Sequence, residues 1–124
     1  MSDEYIFLAH HIFDYYYNQL IEANQHIKRS LDNQIRMIKV NPMIGEPLKG
    51  APPPLQGRIR KRYVGGRKGH RLFYITFPRE KIVIGVFITP ETRNKINYNE
   101  FPWNLFLEAF QDFEIKKLDK FKII

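Results

Sequence analysis

Arg58, Arg60 and Arg62 alternate with Ile59, Lys61 and Tyr63 in the run "RIRKRYV", and Arg71 opens the apolar run beyond a short glycine-containing link. Guanidinium groups grip phosphate oxygens two at a time, so arginines at every second strand position describe an anion-binding row. Alternation sends Arg58, Arg60 and Arg62 to one face and Lys61 to the other, and the hairpin register can bring Arg71 beside Arg60 or Arg62. Like charges held that close are costly unless an anion separates them, which points to a phosphate site. The bland alternative is a solvated edge strand whose arginines snorkel. Five arginines among residues 57–77 favour the phosphate reading. His70 is the neighbouring side chain of the type suited to proton transfer, although alternation puts it opposite Arg71.

Other chemistries find less support. The chain has no cysteine, which excludes disulfides, thiolate nucleophiles and cysteine-based zinc sites. His10 and Asp14 fall one helical turn apart, but without a third ligand they imply no metal. Tyr15, Tyr16 and Tyr17 read as core and rim aromatics. No glycine-rich phosphate loop, Ser-His-Asp order or paired-carboxylate pattern stands out, and no cofactor is implied.

The net charge of +7 over 124 residues is unevenly placed. Residues 42–98 hold twelve basic and three acidic side chains, a balance of +9, while each flanking segment holds four basic and five acidic and balances at −1. Such concentration suits a polyanionic partner, nucleic acid first and an acidic protein next. A membrane surface ranks below both, because no lipidation signal or long apolar run accompanies the charge. Acidic Asp3 and Glu4 stand where a secretory signal needs positive charge, so a cytoplasmic protein is expected.

These residues must be carried by a small α+β scaffold. From Ile6 to Val40 there is no proline or glycine. Phe13, Tyr16, Tyr17, Leu20 and Ile21 make one helical stripe, and Ile27, Leu31, Ile35 and Ile38 a second, with the break at "EANQH". Pro42 ends the second helix near Asn41. Residues 42–57 hold five of the eight prolines and read as an irregular connection. Three β-type runs follow, "RIRKRYV", "HRLFYITF" and "KIVIGVFIT", joined by links short enough for antiparallel hairpins. The third is apolar on both faces and should be central. Phe106, Phe110 and Phe113 predict a C-terminal amphipathic helix docked on the domain. The expectation is one domain spanning 1–124: a helical hairpin over 1–41 packed on one face of an antiparallel sheet over 58–98, a C-terminal helical extension over 99–124, and the other sheet face available.

The order of these pieces resembles the RelE/ParE superfamily of toxin–antitoxin toxins. "NPMIGEPLKG" is similar to that family's loop after the helices, "RIRKRYV" with its glycine turn and "HRLFYI" to its basic strand pair, and "ETRNKINY" to its closing Arg and Tyr. The resemblance covers Ile27 to Tyr98. It implies a helical hairpin on an antiparallel sheet and a ribosome-dependent endoribonuclease that cuts messenger RNA by metal-independent attack of the 2'-hydroxyl, neutralised by a cognate antitoxin. It also implies roles: Arg71 and Arg93 clamping the scissile phosphate, Arg60 and Arg62 holding flanking phosphates, and Tyr98 stacking on a base or aiding proton transfer. Arg58 and Lys61 of the same run are expected with the phosphate-binding set, and His70 is a candidate base by its chemistry. Some members instead inhibit DNA gyrase without catalysis, and a degenerate member would only bind nucleic acid or antitoxin. The family usually begins with a strand, whereas Tyr5 to Tyr17 lacks clean alternation and reads as helical.

Overall fold

The computed structural model describes residues 4–66, 69–89 and 101–124. A six-stranded sheet, in the order β2-β3-β4-β5-β1-β6, organises the chain. The strands are β1 (Ile6–His10), β2 (Glu46–Pro47), β3 (Ile59–Val64), β4 (His70–Phe77), β5 (Ile82–Ile88) and β6 (Phe121–Ile123). The helices are α1 (His11–Ala23), α2 (Ile27–Val40) and α3 (Trp103–Glu114). All neighbouring strands run antiparallel except β1 and β5, which are parallel. Among the described residues no helix is long and apolar enough to cross a membrane.

Two apolar layers sandwich the sheet. On one face, Phe13 of α1 and Ile27, Leu31, Ile35 and Ile38 of α2 pack on Phe7, Val64, Leu72, Tyr74 and Val83. On the other, Phe106 and Ala109 of α3 pack on Ile59, Phe73, Ile75, Phe77 and Ile84. α3 therefore covers part of the second face, contrary to the expectation that the whole of it stands available, and leaves Lys61, Tyr63 and Arg71 of that face partly exposed. The α2 stripe is the one its periodicity predicts, and the helices break between Ala23 and Ile27 as the polar run requires. β5 lies between β4 and β1, and as a strand covered on both sides it has apolar residues on both faces. Gly85 is needed there: a Cβ would sit 2.7 Å from the Phe7 ring and 3.0 Å from Phe13.

Three expectations are corrected. The N-terminus is not helical from its start, because Ile6–His10 is a strand inserted between β5 and β6. Phe7 and Ala9 pack into one layer and Leu8 into the other, so both strand faces are apolar and no alternation marks it. The sheet is not confined to 58–98 or purely antiparallel, since β1, β2 and β6 come from outside that range. The C-terminal extension ends in the edge strand β6 after its helix.

Candidate nucleic-acid interface

The β3–β4 register decides which cations stand together. Val64 pairs with His70, Tyr63 with Arg71, Arg62 with Leu72, Lys61 with Phe73 and Arg60 with Tyr74. Paired residues share a sheet face, so Arg71 lies with Tyr63 and Lys61, and Arg60 and Arg62 lie on the α1/α2 side. The expected juxtaposition of Arg71 with Arg60 or Arg62 does not occur. A one-residue change in the link between the strands would have produced it, because each slip exchanges the faces.

The arginines expected on flanking phosphates are engaged inside the fold. Arg60 donates through one terminal nitrogen to the carbonyls of Gly45 (2.7 Å) and Met43 (3.3 Å). Its Nε is buried with no hydrogen-bond partner among the described residues. Arg62 donates through Nε to Gln34 Oε1 on α2 at 2.8 Å. Arg58 lies over the rings of Phe77 and Phe110, 5.2 and 5.9 Å from their centroids. These contacts fasten the 42–47 connection and α2 to β3, and α3 to the residue just before it.

On the opposite face a different group comes together. Lys61 Nζ and Arg71 Cζ each sit 5.7 Å from the Tyr63 ring centroid, so two cations gather at one aromatic ring. Glu46 of β2 pairs with Lys61, and its carboxylate oxygen lies 3.7 Å from Lys61 Nζ. Glu46, Lys49 and Lys61 line an open groove of about 410 Å³ with Pro47, Leu48 and Gly50. Beside the row, on the same face, buried Phe73 packs on Phe87 and Phe101. The row Glu46, Lys61, Tyr63, Arg71 thus offers two cations for phosphate, a ring for stacking and a carboxylate oxygen that can accept a proton.

His70 is buried and faces away from that row. Its Nδ1 lies 2.6 Å from the Thr89 carbonyl, which can only accept, so Nδ1 carries the proton. Thr89 Oγ1 also accepts from the Arg71 backbone N–H at 2.9 Å, so Thr89 fixes the start of β4. Arg93 and Tyr98 lie outside the described residues.

Glu46 and Tyr63 are the residues that sequence reasoning passed over. Glu46 sits in a two-residue strand with no pattern of its own, and its signal was its position beside Pro47 in the connection. Tyr63 alternates with the arginines, so it falls on the face opposite the one their spacing marks.

The connection bearing Glu46 is held by Tyr74. Its hydroxyl donates to the Pro42 carbonyl at 2.6 Å and accepts from Gly45 N–H at 3.1 Å. Burial pushes the phenol up to about 12, against the opposing pull of the Gly45 hydrogen bond and the nearby Arg60 and Arg62. Three strand positions from β3, His10 caps α1 and meets Asp112 of α3 at 2.8 Å rather than Asp14. Burial lowers its pKa, with His11 acting the same way and Asp112 and Glu108 opposing.

No protein-family model matches this chain, and no curated protein matches it significantly.

Proposed function

We propose that this chain is the toxin of a toxin–antitoxin module and cleaves messenger RNA on the ribosome in the cytoplasm. The observation that carries the reading is the row Glu46, Lys61, Tyr63 and Arg71, two cations at one half-buried ring with a carboxylate beside the first of them. Arg71 and Lys61 hold the scissile and neighbouring phosphates, and Tyr63 stacks on a base. Glu46 takes the proton of the 2'-hydroxyl as it attacks, supplying the base that arginine cannot be. DNA lacks that hydroxyl, so cleavage is specific to RNA. Through the resemblance, Arg93 and Tyr98 complete the set by clamping the phosphate and assisting at the leaving oxygen. The protein partner implied is a cognate antitoxin.

A cell-free translation reaction with added protein tests this, the cuts in the messenger being mapped by primer extension. Wild type should cut, Arg71→Ala and Glu46→Gln should not while their circular dichroism is unchanged, and Lys68→Ala should cut normally. An intact messenger alongside inhibited gyrase supercoiling would replace this reading with the gyrase-inhibitor one.

A further inference from the structure

We propose that His10, His11 and Asp112 form a binding site for a divalent transition metal of the zinc class, distinct from the basic face. The ligand atoms of these three side chains lie within 4.8 Å of one another. His10 is fully buried, Asp112 nearly so, and their Nε2 and Oδ2 atoms are 2.8 Å apart. His11 is exposed, with its ring centroid 4.3 Å from that of His10. Two ligands are thus set by the fold, one from the β1–α1 junction and one from α3, and the third is an exposed side chain that closes on them by turning.

Zinc bonds of ~2.0–2.2 Å to imidazole nitrogen and carboxylate oxygen place tetrahedral ligand atoms ~3.3 Å apart. The His10–Asp112 pair needs to open by about half an ångström, and His11 needs to swing inward by at most about 1.5 Å, a rotamer change for an exposed side chain. The metal takes the place of the proton between Nε2 and Oδ2. That proton leaves to solvent and Nδ1 takes one up, so the ring stays neutral. The interaction surrendered is the contact of the Ile12 N–H with Nδ1, which at 3.5 Å is long for a hydrogen bond. Glu108, one turn before Asp112 on α3, adds negative potential at His10. Imidazole with carboxylate and no thiolate suits zinc, cobalt or nickel over calcium or magnesium. Exposed His11 leaves the fourth position facing solvent.

The full chain, stripped with chelator, is titrated with Zn²⁺ by calorimetry and with Co²⁺ followed by visible absorption. One metal per chain and the intense bands of four-coordinate cobalt are expected. His11→Ala, at an exposed position that leaves the fold intact by circular dichroism, should weaken binding tenfold or more, as should Asp112→Asn. His26→Ala, at another exposed histidine, should bind as wild type does. No binding by wild type, or wild-type affinity in His11→Ala, would overturn the proposal. If Asp112→Asn does not fold, the His11 and His26 variants decide it.

Discussion

Replacing Tyr74 with Phe removes a single oxygen from a site with no solvent access, and its effect can be worked out from two hydrogen bonds. The Pro42 carbonyl loses its donor and the Gly45 N–H its acceptor, both on buried residues. A buried group left unsatisfied costs roughly 1–3 kcal/mol, and the lost hydroxyl also spares its own desolvation, so the net destabilisation should be about 2–4 kcal/mol. Against a typical total stability of ~5–15 kcal/mol that is a large fraction. Urea unfolding of both proteins, with the Trp103 fluorescence and circular dichroism transitions fitted together, measures the difference. Titration adds an independent reading. The phenol is raised in the folded state to about 12 from an unfolded value near 10, so its contribution is complete below ~pH 10 and disappears as pH rises through the folded value. Two units correspond to about 3 kcal/mol. Tyr17, donating to Asp32 at 2.6 Å and likewise raised by burial, keeps part of the alkaline loss in the variant, so the quantity to compare is the difference between the two pH profiles. A Tyr74→Phe protein within about 0.5 kcal/mol of wild type, with the same alkaline limb, would refute the view that this hydroxyl holds the Glu46 connection.

Arg60→Ala should lower stability by about 1–3 kcal/mol, through the lost contacts to the Met43 and Gly45 carbonyls, whereas Arg71→Ala should leave the melting temperature nearly unchanged and weaken RNA binding. Binding of single-stranded RNA should fall with salt, and Lys61→Ala and Arg71→Ala should each flatten the log–log slope by ~0.7, as measured by fluorescence anisotropy across a salt series. Tyr63→Ala should cost ~1–3 kcal/mol of RNA affinity from lost stacking with the salt slope retained. Gly85→Ala drives a methyl into Phe7 and Phe13 and should destabilise by about 1–3 kcal/mol in a thermal melt.

What could be read from residues alone was the part whose burial is one-sided. Ile27, Leu31, Ile35 and Ile38 repeat at helical spacing because α2 buries one stripe, and the polar interruption before them marks the turn for the same reason. β1 escaped because it is covered on both faces, so its apolar run has no period to distinguish strand from helix. α3 was legible as an amphipathic helix, but its phenylalanines do not say which face of the sheet they cover. The basic cluster was legible as charge and misread as geometry: alternation within β3 is local, whereas the partner of Arg71 depends on how many residues the link between the strands contributes to the register. Arg60 and Arg62 illustrate the other limit, since guanidinium groups grip backbone carbonyls and amides by the chemistry with which they grip phosphate.

The placement of β1 has a consequence for synthesis. Its two neighbours in the sheet, β5 and β6, are made long after it, and β6 follows every other described strand and helix. While the protein is still on the ribosome, the run "IFLAH" therefore emerges early and waits without either partner, an apolar strand with both edges open. Even after β5 has docked, the other edge stays unpaired until Phe121–Ile123 are released. Completion of the sheet thus waits on the segment that follows α3. Until that segment is made the nascent chain presents a strand edge to other chains, and that interval is where a chaperone or a binding partner would act on it.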